Sequence, residues 1–490
     1  MSEAISNTLS SRLRTAIDKS VSNPVMFFFT SGAAWLAVAV FLGIFYSIKS
    51  LNPAFLECFG ALSTGRAYVA HINVLIYGWC FQAAFGAIIW FMARLCRKEA
   101  TKSGLVLFVG HLWNFGVTVG LLGILLGKGT GVPWMEFPVA TWPIFFVCYV
   151  LITVWSFIQF RIREGGHVYI SQWYLLAAIF LFPWVYLTAN IFVFGFEGHA
   201  VMTAGIAAWF KSAIILLFFM PVAIASAYYI TPKVTGRPVY SYNLALLGFW
   251  SLMATAPWAG MQKLTGAPIP PHLTYIGAGA TVLFFIPAIT VGLNILMTLK
   301  SNGGAVLKSP SLRFTATSII ALVGMGALGM FLNLPSVLQS VQFSISGYGY
   351  EMLAIYGVFT MAMFGAIYFI VPRVTMREWL STRLIKFHFN LSVYGLIAIV
   401  IGSILGGIMQ GDAQQAWKYT SWLNAASSTY AWDWFNAFSW IFILISNICF
   451  CLHLLLMWLR LGRKTDHPTL LETGHHESSP HGEDGAIQTI

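Results

Sequence analysis

Charged residues are scarce in this chain. Asp, Glu, Lys and Arg make up 9% of its 490 residues, hydrophobic residues make up 58%, and the mean hydropathy is +0.76. A typical soluble domain carries about 25% charged residues. The composition therefore excludes an ordinary soluble fold and predicts a protein that crosses a membrane many times.

Sequence signals of several common chemistries are also missing. The six cysteines form no C-x-x-C or C-x-x-C-H pattern, which argues against a disulfide framework and against covalently attached c-type haem. The chain has no Walker A loop, no H-E-x-x-H motif and no Ser-His-Asp signal. Its first 22 residues contain no short apolar core with a cleavage site, so we expect no cleaved signal peptide. Functional residues must then be sought among intramembrane polar groups, which are costly in lipid.

Twelve apolar stretches are each long enough to cross the hydrocarbon core as a helix, which takes roughly 20 residues. The sequence therefore predicts an all-α polytopic membrane protein, with a twelve-helix membrane domain at residues 26–460. A cytoplasmic N-terminal segment, 1–25, precedes it, and a polar, His-rich cytoplasmic tail, 461–490, follows. The tail's composition predicts disorder. The stretches lie at residues 26–47, 68–93, 104–127, 139–160, 171–195, 203–230, 242–263, 273–299, 314–334, 345–372, 387–410 and 431–459.

The distribution of basic residues tests this helix count, because Lys and Arg accumulate in cytoplasmic loops. With both termini inside, all but six of the 27 basic residues fall on the cytoplasmic side, and adding or removing one helix would destroy this segregation. The chain is thus predicted to be a multi-pass membrane protein with both termini in the cytoplasm. Topology also explains the formal charge of +11, so the basic balance does not indicate nucleic acid. The six exceptions are Lys49, Arg66, Lys128, Lys211, Lys263 and Lys418.

One histidine, His71 in GRAYVAHINVLIYGW, lies near the predicted outer end of the second stretch. It follows Arg66 by five residues, which places it roughly 7 Å down a helix at 1.5 Å per residue. A histidine at this depth suits an iron ligand whose electrons arrive from the outer face. A packed, hydrogen-bonded core histidine is the alternative interpretation.

Four further segments occur in the order expected for a known family. YYITPKVTGRPVYSYNLALLGFWSLMATAPWAG (228–260) resembles the hinge between helices six and seven of the haem-copper oxidase catalytic subunit, in its C-type (cbb3) branch. REGGHVYISQWYLLA (163–177), AIYFIVPRV (366–374) and GGIMQGDAQQAW (406–417) resemble later landmarks of that branch. Together with the His71 segment, the resemblance implies the twelve-helix fold of oxidase subunit I, with haem held between helices two and ten.

The resemblance also identifies ligand positions that this chain has vacated. The family holds copper B with one histidine on helix six and a pair at the end of helix seven; these positions are occupied here by Ser212, Gln262 and Lys263. The family's active-site tyrosine aligns with Ala256. Copper requires imidazole or thiolate donors at such a site, and a charged Lys would repel a cupric ion. We therefore expect no copper B.

Helix ten departs from the family in the same way. Its His-X-His motif is replaced by Tyr350-Glu351-Met352, with Tyr350 at the position of the high-spin haem ligand and Met352 at that of the low-spin ligand. Tyrosinate does ligate iron in catalase, and a Met/His pair is an established haem ligation that raises the reduction potential. His71 and Met352 are thus predicted to be the axial pair of one low-spin haem b. A methionine that only packs in the core is the alternative for Met352. Glu351 could carry a proton or pair with a cation, but we expect it to face the outer water layer.

Three functional hypotheses remain. The first is an electron-transfer subunit of a respiratory complex that carries one low-spin haem b and does not reduce oxygen. It would work beside other membrane subunits and exchange electrons with an outer-face cytochrome c or with c-type cytochrome subunits. The second is a haem-free structural scaffold for partner cytochromes. The third is an active cbb3-type terminal oxidase, which the missing histidines oppose. Function depends on the site rather than the fold, so the resemblance alone does not decide among them.

Overall fold

The described part of the chain is helical throughout its membrane-spanning region. A computed structural model describes residues 2–56, 58–196, 200–416, 427–465 and 468. In these residues, twelve helices are long and apolar enough to cross a membrane, which confirms the predicted number. They are α1 Arg12–Leu51, α2 Thr64–Cys96, α3 Ser103–Leu125, α4 Val139–Arg161, α5 Ile170–Phe194, α6 Ala200–Thr235, α7 Tyr242–Leu264, α8 Pro271–Lys300, α9 Pro310–Leu332, α10 Ser346–Thr375, α11 Thr382–Gln415 and α12 Tyr430–Trp458.

The first helix is longer than its apolar stretch predicts. The apolar residues 26–47 form the later part of a helix that is continuous over Ser2–Leu51. Polar contacts hold its earlier turns against α2: Asp18 accepts a hydrogen bond from Trp90 Nε1 at 2.9 Å and lies 3.4 Å from Arg94 Nε. The helix therefore begins well before position 26, and the contacts of Asp18 hold this part of it against α2. The predicted tail lies outside the described residues from position 469 onward.

Three helices, α2, α6 and α10, form the centre of the bundle. Every residue of their most apolar 18-residue windows is buried, compared with 39–56% in the other nine spans. A helix that is apolar on all sides must be surrounded either by lipid or by other helices. The burial of α2, α6 and α10 shows that other helices surround them. Each of the three also contains a π-helical segment, a feature that often occurs at functional sites. These segments are Val74–Cys80, Ile214–Phe219 and Leu353–Thr360.

Two contacts define how α2 and α10 lie beside each other. The rings of Tyr68 and Tyr348 have centroids 6.3 Å apart, and Trp79 Nε1 donates to Thr360 Oγ1 at 2.9 Å. These pairs are separated by 280 and 281 positions in the chain, so the two helices run in the same direction without a change of register. Any residue on α2 is therefore level with the residue about 281 positions later on α10.

Candidate functional site

The start of α2 is anchored where His71 requires a fixed helix. Ser63 caps the helix by accepting a hydrogen bond from the backbone N–H of Arg66. The Arg66 guanidinium donates to the carbonyl oxygens of Gly60 at 2.8 Å and Leu125 at 3.3 Å, which ties the beginning of α2 to the end of α3. His71 lies just over one turn further along and three residues before the π segment.

His71 is completely buried, and one of its ring nitrogens has a protein partner. Nδ1 lies 2.7 Å from the carbonyl oxygen of Ala39 on α1. A carbonyl oxygen only accepts, so Nδ1 carries the proton and Nε2 is left with a lone pair. Nε2 is buried and has no hydrogen-bond partner among the described residues. Metal-binding histidines commonly donate their other N–H to a backbone carbonyl, so this arrangement fits an iron ligand.

Packing fixes the orientation of this imidazole. Gly43 on α1 lies directly against it: a Cβ at position 43 would be 2.8 Å from His71 Cε1 and 2.9 Å from Nδ1. The indole of Trp440 on α12 is nearly perpendicular to the imidazole, with ring centroids 4.8 Å apart. The His71 ring is therefore held by α1, α2 and α12, and neither side leaves it room to rotate freely.

Met352 lies on α10 at the level of His71. The two residues are 281 positions apart, the same separation as the Trp79–Thr360 hydrogen bond. Met352 is buried and immediately precedes the π segment of α10. The structure thus places a thioether and an imidazole with an unpartnered Nε2 at equal depth on two neighbouring helices. This donor set fits the low-spin haem ligation predicted from the sequence.

The end of α7 is irregular, which brings the two vacated positions Gln262 and Lys263 toward α6. The helix changes to 3₁₀ geometry at Ala256–Trp258 and resumes at Met261–Leu264, with Gly260 between them at φ +121°. A Cβ at Gly260 would be 2.6 Å from the carbonyl oxygen of Ala208 and 3.0 Å from Ser212 Oγ. Only glycine permits both this backbone conformation and this close approach.

Four of the five residues that the resemblance assigns to vacated ligand positions line one cavity of about 480 Å³. Ser212 from α6, Gln262 and Lys263 from α7, and Tyr350 from α10 all contribute to its wall. Ala256 is buried at the irregular turn of α7 but is not among the lining residues. Residues from three helices thus converge on one cavity.

The donors in this cavity are unsuited to copper. Both polar atoms of the Gln262 side chain are engaged in the protein: Oε1 accepts from Gly260 N at 2.8 Å, and Nε2 donates to Thr281 Oγ1 at 2.7 Å. Among the described residues, no group of three or more His, Cys, Asp or Glu side chains is placed to hold a metal ion. The residues present therefore do not fit a copper B centre, which needs imidazole donors.

An ion cluster around the buried Glu351 carboxylate lines one side of the cavity, and sequence analysis did not predict its two lysine partners. Glu351 Oε1 lies 2.6 Å from Lys211 Nζ and 3.3 Å from Lys263 Nζ. The Glu351 side chain is only 6% exposed, so the expectation that it faces the outer water layer is wrong. In the sequence, Lys211 stands out only as one of the six exceptions to the charge pattern. Because the three residues lie on different helices, no local spacing in the sequence indicates that they meet.

A second carboxyl group, Glu136, comes from the loop between α3 and α4. It is buried, and its Oε2 accepts a hydrogen bond from Asn73 Nδ2 on α2 at 2.6 Å. Burial raises the pKa of Glu136 to about 7, although the hydrogen bond from Asn73 and the nearby Lys211 oppose the increase. Sequence analysis did not identify this group, because a single Glu in a loop normally points into water.

Replacement of Glu136 by Gln should change how stability depends on pH. The folded-state pKa of about 7 exceeds the ordinary 4.5, so the folded state binds more protons between these values. Wild-type stability should therefore fall as pH rises from about 4.5 to 7, by about 3 kcal/mol at most. Glu136→Gln should lack this decline and melt above the wild type at pH 8 but not at pH 5. The melting temperature at each pH is measured by thermal unfolding, followed by tryptophan fluorescence. Glu99→Gln, at an exposed residue, is the control. If the melting temperatures of Glu136→Gln and the wild type change in parallel with pH, the raised pKa of Glu136 is contradicted.

Comparison with known proteins identifies the class to which this fold and site belong. The sequence profile of the family described as Cytochrome C and Quinol oxidase polypeptide I matches residues 23–445. The chain therefore belongs to this family, which confirms the resemblance to haem-copper oxidase subunit I. The match extends from α1 into α12, and it makes the chain a multi-pass membrane protein homologous to a respiratory oxidase subunit.

Individual relatives agree with the C-type resemblance. The Cbb3-type cytochrome c oxidase subunit CcoN1 of Stutzerimonas stutzeri is 24% identical over 388 residues, covering 77% of this chain and 81% of the relative. Cytochrome c oxidase subunit 1 of Rhodobacter capsulatus is 25% identical over 399 residues, covering 78% and 73%. A solved heme-copper terminal oxidase dimer has a TM-score of 0.69 and 12% identity, covering 93% of this chain and 88% of that one, which shows the fold.

Proposed function

We propose that this protein is a subunit of a respiratory electron-transfer complex that carries one low-spin haem b and does not itself reduce oxygen. The observation that carries the proposal is the contrast between two places in the bundle. At one, His71 presents an unpartnered Nε2 at the level of Met352. At the other, Ser212, Gln262 and Lys263 replace the histidines that oxygen chemistry at copper B requires.

His71 and Met352 would hold the haem iron. The haem would supply a reversible one-electron carrier, with a potential raised by the thioether ligand. The chain's own residues do the positioning: Ala39 sets the His71 tautomer, and Gly43 allows the imidazole to lie close against α1. The burial of both ligands excludes water, which stabilises a single ligation state.

The location of the site suggests its partners. With both termini cytoplasmic, His71 and Met352 lie in the outer part of the bilayer, so electrons would arrive from an outer-face cytochrome c or c-type cytochrome subunits. Relatives at 24–25% identity are named as subunits of cytochrome c oxidases, which supports assembly with other membrane subunits. The membrane would be the bacterial inner membrane.

A haem-free scaffold is the second candidate function, and one observation favours it. The indole of Trp440 lies against the His71 imidazole with centroids 4.8 Å apart, so part of the surroundings of this histidine is filled by an aromatic side chain. A histidine enclosed in this way can simply pack in the core, at the cost of one buried ring nitrogen without a hydrogen bond. An active oxidase remains the least favoured candidate, because the copper ligands are replaced.

A reduced-minus-oxidised spectrum with metal analysis of the purified full-length protein separates the candidates. We expect a single α band of b-type haem, no carbon monoxide adduct, and no stoichiometric copper. Absence of haem would favour the scaffold. Two haems with carbon monoxide binding, or about one copper per chain, would contradict the proposal and restore the active oxidase.

Membrane orientation is tested by reporter fusions. Fusions at Lys98, Lys233 and Arg377 should report a cytoplasmic location, because these residues belong to the basic loops. Fusions at Lys128 and Lys418 should report the outer side. The measurement uses paired reporters that are active on opposite sides of the membrane. If the fusions at Lys98 and Lys128 report the same side of the membrane, the predicted topology is wrong.

A further inference from the structure

The cavity between α6, α7 and α10 has a largely apolar wall in addition to its polar residues. Helix α6 contributes both alanines and larger aliphatic side chains to this wall, and α7 and α9 contribute further large apolar side chains. Its volume of about 480 Å³ is in the range of small-molecule sites, which combine an apolar lining with a few placed polar groups. The apolar part includes Ala204, Ala208, Ile215, Leu216, Leu264 and Met325.

The charged residues of the cavity wall do not balance. Lys211 and Lys263 contribute two positive charges and Glu351 one negative charge, which leaves an excess of one positive charge among the described lining residues. The side chains of Lys211 and Lys263 are 19% and 34% exposed, so both ammonium groups are partly withdrawn from water, and such charges are stabilised by a further partner. Glu136 lies near Lys211 but binds Asn73 and is not among the lining residues. An anion in the cavity would complete the pairing.

The two ammonium groups also have enough hydrogen-bond donors for a further acceptor. Each has three N–H donors and no acceptor, and Glu351 Oε1 takes a contact from both. Lys211 Nζ additionally lies 5.3 Å from the centroid of the Trp134 ring. Donors therefore remain on both lysines for an oxygen ligand within the cavity, and a carboxylate has two oxygens that accept only.

One part of the cavity wall comes from a segment that hydrogen bonds hold in place. The segment after the short helix Pro335–Val341 is tied to the end of α7, because Gln342 Nε2 donates to Thr265 O at 2.7 Å and to Lys263 O at 3.3 Å. The next residue, Phe343, lines the cavity, is 80% exposed and has φ +63°. A bulky residue in this left-handed conformation is uncommon and costs free energy, and such strain clusters at ligand clamps and other functional sites.

From these observations we infer that the cavity is a binding site for a small organic monocarboxylate, with the carboxylate on Lys211 and Lys263 and the apolar body against the walls of α6 and α9. A hydrated inorganic anion would lose water against these apolar walls and gain nothing from them. The inference rests on the part of the proposed function that leaves this cavity without copper. It does not depend on haem at His71.

Binding of 2-naphthoate to the full-length protein in phosphatidylcholine nanodiscs tests the inference. Its neutral analogue, 2-naphthamide, has the same aromatic body, so the difference isolates the carboxylate; empty nanodiscs correct for partition into lipid. Equilibrium dialysis should show saturable naphthoate binding at a single site and no saturable naphthamide binding. Lys263→Met should weaken naphthoate binding by at least about tenfold, as loss of a charge-assisted hydrogen bond predicts. Lys128→Met, at an exposed lysine, should leave binding unchanged.

Glu351→Gln distinguishes binding from mere structural support. It removes the negative charge that competes for both lysines, so naphthoate should bind several-fold more tightly. If the three residues served only to hold the helices together, the variant would bind less or not at all. Saturable binding of naphthamide equal to that of naphthoate, displacement of naphthoate by equimolar chloride, or no naphthoate binding to the wild type would each overturn the inference. Metal analysis of the same samples shows separately whether the copper-free assignment has failed.

Discussion

Substitution His71→Ala yields a protein that purifies without haem. The imidazole Nε2 is the strong donor of the proposed pair, and a thioether alone binds iron weakly, so loss of His71 should abolish the b-type α band. The measurement is the pyridine haemochrome content per chain. Adding imidazole to the variant should restore part of the band, because Ala leaves space beside Gly43 where the ring had packed.

His388→Ala is the matched control for this experiment. His388 is also completely buried and also has an Nε2 without a partner among the described residues, but its Nδ1 lies 2.9 Å from Tyr368 Oη in another part of the bundle. The two variants remove the same buried volume. Retention of haem by His71→Ala, or equal loss in both variants, would show that His71 is not the ligand.

Met352→His should keep the haem and lower its reduction potential. Histidine favours ferric iron more than a thioether does, and axial ligands tune haem potentials over about 0.8 V, so a decrease on the order of 0.1 V is expected. Spectroelectrochemical titration measures it. Met352→Leu should remove the sixth ligand altogether and give a haem that binds carbon monoxide.

Met363→Leu controls for the general effect of changing a buried methionine on α10. Met363 is fully buried three turns further along the helix and should not influence the potential. An unchanged potential and spectrum in Met352→His would mean that Met352 only packs. A different sixth ligand, or the haem-free scaffold, would then be the better account.

The irregular segments of the helices were beyond sequence analysis. His71, Ser212 and Met352 each precede a π segment by three residues or fewer, on the three fully buried helices. These segments contain the same apolar residue types as an ordinary transmembrane α-helix, so no sequence pattern indicates their π-helical hydrogen bonding. Similarly, the apolar pattern does not indicate that the first helix begins well before position 26, where Asp18 contacts Trp90 and Arg94, which are distant in sequence.

Apolar length and short motifs are properties of contiguous residues, so they were enough to predict the membrane class, the twelve helices and the family. Three features emerged from the packing of the helices: Glu351 is buried beside Lys211 and Lys263, Ala39 sets the tautomer of His71, and Met352 lies level with His71. Such pairings depend on the rotation and depth of each helix. Close packing across helices sets both, as at Gly43 and Gly260, where a single Cβ would displace a neighbour.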